Sequence, residues 1–226
     1  VSAPYETYLH MLMDLHHMMG PARYLEIGVN EGHSLACARS DTRLLGVDPA
    51  PDVESLEHPD WTVIEATSEE FFRDHDALDL LGGTVDLAFV DGLHHFEVAL
   101  ADVLSIERYA HPGTVILVHD ALPIDGPTSD RNRTSIIWSG DVWKAILLLR
   151  RHRPDLTVTT LDVSPTGMAV ITGFGGATDG AWVDPAVDDL MDADYNDLVA
   201  MGIERSLGVR PGTPKVLASL LPTVNP

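Results

Sequence analysis

Five short apolar runs separated by stretches of helical character constrain this chain more than any other feature. They fall at residues 23–28, 43–48, 61–65, 85–90 and 114–118. Strands that alternate with helices are joined by crossovers, which makes the strands parallel and puts helices on both faces of a doubly wound α/β sheet. Two later runs, 156–162 and 168–172, are separated only by Val163-Ser164-Pro165-Thr166-Gly167, a turn-rich connection that predicts an antiparallel hairpin at the C-terminal end of a mostly parallel sheet.

A chain of 226 residues with 45% hydrophobic content suits one such domain. Before it, residues 1–20 read as an amphipathic helix with Tyr8, Leu9, Leu12, Leu15, Met18 and Met19 at helical spacing, closed by Gly20-Pro21. The sheet domain is expected over 21–176. Gly173, Gly175, Gly176 and Gly180, then Asp184, Asp188, Asp189, Asp192 and Asp194, mark 177–226 as an acidic linker and tail with one helix over 195–207. The Met-rich first helix and this tail are the segments expected to form a homodimer contact or to cover a site.

Lys and Arg number 14 against 35 Asp and Glu, a net charge of −21. Such a surface repels nucleic-acid phosphates and anionic membrane, so neither is expected as a partner. No apolar stretch approaches the ~20 residues a bilayer requires, and no basic leader precedes an apolar core. With one cysteine, Cys37, the chain reads as a soluble cytoplasmic protein.

Open parallel sheets bind ligands beyond the carboxyl ends of their strands. There, Gly28 and Gly32 follow the first strand and precede a helix expected to begin at His33 or Ser34, and Asp48 ends the second strand, where a carboxylate can accept both ribose hydroxyls. The pattern implies an adenosine-containing cofactor. Glu26 and Glu31 would repel a dinucleotide's pyrophosphate, and the glycine spacing is not G-x-G-x-x-G. Both carboxylates favour the ammonium and sulfonium centres of S-adenosylmethionine (SAM). An NAD oxidoreductase is thereby disfavoured.

Glu26-Ile27-Gly28-Val29-Asn30-Glu31-Gly32 resembles the first motif of class I SAM-dependent methyltransferases. Gly46-Val47-Asp48 resembles their acidic second-strand motif, and Ala66-Thr67-Ser68 the turn beside the adenine. The resemblance spans residues 24–172 and implies a Rossmann-like methyltransferase fold, with Glu26, Gly28, Asn30, Gly32, Ser34, Asp48, Thr67, Ser68 and Asp91 around the cofactor.

The fourth run continues into Asp91-Gly92-Leu93-His94 and the fifth into His119-Asp120. If these strands are neighbours, their ends lie ~5 Å apart, so Asp91 and Asp120 can reach one cation. Two carboxylates suit Mg²⁺, and participation of His119 would suit Mn²⁺. His94 is placed to act as a general base on an acceptor hydroxyl. The D-G-x-H element followed 29 residues later by an Asp is similar to metal-dependent sugar O-methyltransferases of macrolide biosynthesis and to cephalosporin-hydroxylase-like proteins. Residues 89–97, 112–123 and Gly140-Asp141-Val142-Trp143-Lys144 resemble a broad bacterial group of small methyltransferases. His119 departs from the pair of adjacent acids common at the second metal position.

Simpler roles are open to the same residues: Asp91 as a cap for a helix over 95–109, Asp120 as a turn cap before Pro123. The long connection from Asp120 to Asp141 is expected to form a lid. Its Arg131 and Arg133 are candidates to hold an anionic substrate group, Trp138 is a candidate to stack on a ring, and Trp143 is expected to pack on the sheet. The resulting expectation is SAM-dependent O-methylation of a small molecule, a sugar or natural-product scaffold. The alternatives are a metal-free N- or carboxyl-methyltransferase and a non-catalytic SAM-binding accessory protein.

Overall fold

The computed structural model describes residues 3–54, 57–175 and 180–222. Within them the strands are β1 (Arg23–Ile27), β2 (Arg43–Asp48), β3 (Trp61–Glu65), β4 (Val85–Val90), β5 (Ala110–His119), β6 (Thr157–Asp162), β7 (Met168–Thr172) and β8 (Val209–Pro211). They form one sheet in the order β3-β2-β1-β4-β5-β7-β6-β8. β3 to β5 pair in parallel through β1, and β7 lies antiparallel between β5 and β6.

Strand periodicity places alternate side chains in two cores. Leu25, Ile27, Val47, Ala88, Val90, Ile116 and Val118 face one core, beneath helices α2 (Ser68–Asp74), α3 (Ala77–Leu81), α4 (Phe96–Glu107) and α5 (Trp143–His152). Tyr24, Leu44, Leu87, Phe89, Val115 and Leu117 face the other, against α1 (Tyr8–Met19) and α9 (Pro214–Ala218). Burial on both faces accounts for strands that read as near-continuous apolar runs. The expected α/β doubly wound sheet with its antiparallel hairpin is the fold observed.

α1 starts where Thr7 caps the His10 amide and stops at Gly20 in the left-handed conformation. Met11 packs in the core, whereas Met13 and Met18 are exposed. Trp143 is buried under the sheet, as its apolar helix neighbours predict.

Three segments depart from the sequence expectation. No α-helix follows the glycine loop; residues 33–42 carry one 3-10 turn, Leu35–Cys37. Gly28, Asn30 and Gly32 all have positive φ. The chain is used up in turning back toward β2, and Val29 and Leu35, with Cys37 and Ala38 packed beside them, seal the sheet there. β5 begins at Ala110, ahead of Pro112-Gly113, because a register shift against β4 accommodates the proline. Besides α9, the tail carries not one helix but α6 (Val183–Leu190), α7 (Tyr195–Met201) and α8 (Ile203–Leu207). Gly202, at φ 80°, breaks the last two apart. Leu190, Leu198 and Leu207 are buried in the main core, and β8 joins β6, so this acidic segment is part of the packed fold. The expected boundary at 176–177 lies outside the described residues. No described helix is long and apolar enough to cross a membrane.

Candidate active site

A cleft of about 430 Å³ opens at the carboxyl ends of β1, β4 and β5. The loop Gly28 to Ser34 forms one wall, and Asp91, His94, His119 and Asp120 form the floor. The lid contributes Arg133, Ile136, Ile137 and Trp138, the β6–β7 turn Pro165 and Thr166, and the first turn of α1 Tyr8.

The loop touches the end of β4 so closely that a side chain at Gly28 is impossible: a Cβ would lie 2.1 Å from the Asp91 carbonyl oxygen. Asp48 fastens the loop from the other side, with Oδ2 accepting the Asn30 amide at 2.9 Å and Oδ1 the Ala50 amide at 2.8 Å. Each oxygen keeps a second lone pair for a ligand hydroxyl. Asn30 and Asp120 are the non-glycine residues at positive φ among those described, 47° and 58°, and both line this cleft. Strain of this kind persists only where the surroundings impose it.

Glu26 does not stand on the cleft wall as the sequence motif implied. It is fully buried, accepting hydrogen bonds from Tyr24 Oη at 2.6 Å and Ser34 Oγ at 2.5 Å. Burial pushes its carboxyl up to about 8, against the pull of the Ser34 and Tyr24 hydroxyls. Its direct effect is on Ser34, which does line the cleft. Thr67 and Ser68 also lie outside that cleft. The Thr67 hydroxyl is engaged in a capping box with Glu70 at the start of α2, and Ser68 bonds Asp102.

Register pairing of Val90 with Val118 brings Asp91 and Asp120 together as the strand order requires. His94 Nδ1 donates to the Trp138 carbonyl at 3.0 Å and lies 3.1 Å from Asp120 Oδ2, so its Nε2 is left as the proton acceptor. The Trp138 indole stacks on the imidazole at 4.9 Å and is itself fixed by Nε1 donating to the Asp130 carbonyl at 2.6 Å. Gly140 ends the lid, and a Cβ there would fall 1.9 Å from the His94 carbonyl oxygen. The lid is thus seated directly on the His94 backbone.

His119 Nδ1 donates to Asp91 Oδ1 at 3.0 Å and sits 3.4 Å from Asp120 Oδ2. Burial opposes its charge, but Asp91 and Asp120 outweigh burial and lift it to about 10. Asp120, buried yet facing this cation, is held below the usual carboxylate range, and Thr166 donates to its other oxygen. Tyr8 covers the His119 ring at 4.2 Å. Burial, then Asp91, Glu26 and Asp120, push the Tyr8 phenol up to about 12.

One ligand atom each from Asp91, His94 and Asp120 lies within 4.8 Å of the others, a spacing that accommodates a divalent cation. Because His94 Nδ1 donates to the Trp138 carbonyl, its Nε2 can serve either as a ligand or as a base; with Nε2 as the base, the two carboxylates and water suit Mg²⁺ or Mn²⁺. His119, expected as a ligand, is outside this group, because its Nδ1 proton already points at the two carboxylates and its Nε2 is buried without a partner.

Arg131 is not free to hold a substrate: it grips Glu97 with both terminal nitrogens and reaches Asp141 at 3.2 Å. The sequence reading also missed Asp141, whose Oδ1 caps α4 at the Phe96 amide at 3.0 Å while Oδ2 meets Lys144 Nζ at 3.2 Å. Asp91, the cap the sequence offered for this helix, does not cap it. A D-V-W-K run at a helix start was the available signal. Tyr8 and Thr166 had none, being distant in sequence and joined to the site only by packing.

The parallel sheet, the glycine loop on β1 and the acid at the end of β2 define the class I methyltransferase fold. Residues 25–121, less than half of the chain, match the Methyltransferase domain family, and the fold is that of SAM-dependent methyltransferases of this class. Among solved structures, cofactor-bound Rv0187 from MTB shares 19% identity over 75% of this chain and 80% of its own, with a TM-score of 0.59. An O-methyltransferase from Bacillus cereus in complex with SAH shares 14% identity over 74% and 80%, with a TM-score of 0.55. The O-methyltransferase TomG from Streptomyces achromogenes, involved in tomaymycin synthesis and solved with SAM, shares 20% over 74% and 80%, with a TM-score of 0.50. At these identities the likeness is one of fold. No curated protein matches the chain in sequence.

Proposed function

We propose that this protein methylates a hydroxyl oxygen of a small molecule, assisted by a divalent cation held by Asp91 and Asp120. The supporting observation is the meeting of Asp91, His94 and Asp120 across one cleft from the cofactor loop. Gly28, Asn30, Gly32 and Ser34 would hold the methionine half of SAM, and Asp48 would offer its remaining lone pairs to the ribose. Bound SAM supplies an electrophilic methyl group, and a bound cation lowers the pKa of an acceptor hydroxyl. His94 takes the hydroxyl proton on Nε2, since Nδ1 is already donating to the Trp138 carbonyl. Trp138 and the Gly140 contact hold the ring in place, and the lid excludes water from the site. The O-methyltransferases among the structural relatives agree with this reading, and the charge of −21 favours a small acceptor over nucleic acid.

A metal-free transfer is the second reading, favoured by His119: its imidazolium already supplies a positive charge between the two carboxylates. Methyl transfer from SAM to a panel of hydroxylated and aminated small molecules, run with Mn²⁺ and with chelator, separates the two. The expected result is an O-methyl product, loss of turnover in chelator with recovery on adding Mn²⁺, and a 10²-fold or greater fall for His94→Ala, on the order typical of a lost general base. Full turnover in chelator would overturn the cation, an N-methyl product the hydroxyl acceptor, and SAH binding without any transfer the catalytic reading.

A further inference from the structure

The lid carries two arginines, and their surroundings separate them. Arg131 is neutralised by Glu97 and Asp141. The neighbouring Lys144 is likewise held, by Asp141 and the Met191 carbonyl. Arg133 has no carboxylate within ion-pair distance among the described residues, and its one polar contact is Nη2 donating to the Ile136 carbonyl at 3.3 Å. Among the described residues lining this cleft it is the only lysine or arginine, although Glu31, Asp91 and Asp120 line the same cleft. Beside it, Ile136 and Ile137 are exposed at 93% and 44%, large apolar surfaces held at the cleft mouth with nothing packed over them. A guanidinium with no carboxylate on its fork, beside an apolar wall, matches a ligand with an apolar body and a planar or tetrahedral anion.

We infer that Arg133 anchors a carboxylate or phosphate on the acceptor, whose body lies against Ile136, Ile137 and Trp138 while its hydroxyl reaches His94. This rests on the methyl-transfer reading and adds the acceptor's chemical class to it. The cofactor itself carries a carboxylate, so the experiment must tell the two sources apart.

Isothermal titration of SAH and of 5′-methylthioadenosine, which lacks the amino-acid end, is made on wild type, Arg133→Gln and Arg133→Lys. The SAH-loaded proteins are then titrated with 3-hydroxybenzoate against 3-hydroxybenzamide and with glucose 6-phosphate against glucose. The expected result is SAH affinity unchanged within twofold in all three proteins. Wild type prefers at least one anion over its neutral twin by tenfold or more, Arg133→Gln abolishes that preference, and Arg133→Lys keeps part of it. A tenfold loss of SAH affinity in Arg133→Gln with methylthioadenosine unchanged would assign the guanidinium to the cofactor and overturn the inference. So would a wild type without anion preference, or a preference that survives Arg133→Gln. Wild type that binds no SAH at all overturns the underlying methyl-transfer reading, and this inference with it, at the first titration.

Discussion

Replacing Glu26 by Gln tests the reading of the cofactor loop most directly. Glu26 is fully buried and its carboxyl titrates near 8, against an ordinary 4.5, because burial penalises the charged form. A carboxyl raised in the folded state makes folding take up a proton, so its contribution is fully present below pH 4.5 and is lost as pH rises through 8. Across that window the shift from 4.5 to about 8 amounts to about 5 kcal/mol, of which about 2 kcal/mol falls between pH 6 and pH 8. His16 acts in the opposite direction. Burial lowers it from 6.5 to about 4, so its contribution is present above 6.5 and is lost as pH falls toward 4. Between pH 8 and pH 6 that costs roughly 1 kcal/mol. Urea unfolding of the ligand-free protein at half-unit steps from pH 6 to pH 8 gives both profiles. Wild type is expected to lose stability as pH rises, and Glu26→Gln to lose less. His119, raised to about 10, and Asp102, raised to about 7 by burial, lose their contributions over the same range in both proteins and outweigh His16. The difference between the two profiles should change by about 2 kcal/mol over the range. Parallel profiles would refute the claim that Glu26 holds a proton in the folded ligand-free protein.

Asp141→Asn keeps an oxygen for the Phe96 amide but leaves Lys144 buried without its counter-charge, and is expected to destabilise by about 3–5 kcal/mol in urea unfolding. Asp141→Asn combined with Lys144→Met should recover most of that loss, and an equally unstable double variant would show that the pairing was not the cause. Gly140→Ala sets a Cβ against the His94 carbonyl at a residue with φ 55°, and should cost about 1–3 kcal/mol while displacing the lid. Its Trp138 fluorescence should shift relative to wild type, and unchanged emission with full stability would contradict the close seating of the lid on His94.

Local patterns made the frame legible and left the contacts that complete the site hidden. β2, β3, β4 and β7 fall at the residues their apolar runs predict; β2, β4 and β7 are buried on both faces, which leaves no ambiguity of period, while β3 is the half-exposed edge strand. Asp91 and Asp120 were paired from strand order alone, since neighbouring parallel strands bring their carboxyl ends together whatever lies between them. The same logic fails for side chains delivered by packing. Glu26 carries the motif position of a cofactor contact, yet Tyr24 and Ser34 enclose its carboxylate, a consequence of a loop that turns back without a helix behind it. Arg131 and Arg133 are two residues apart and equivalent in sequence. What divides them is that Glu97 and Asp141 converge on one side of the lid, a convergence that depends on α4 being packed against α5. The imidazoles at 94 and 119 part for the same reason: His94 stays at the cleft because Trp138 pins it there, while His119, expected as a ligand, is withdrawn beneath Tyr8 with its proton turned to the acids. Residue type fixed which groups can do the chemistry; the lid and the first helix decide which of them face the cleft.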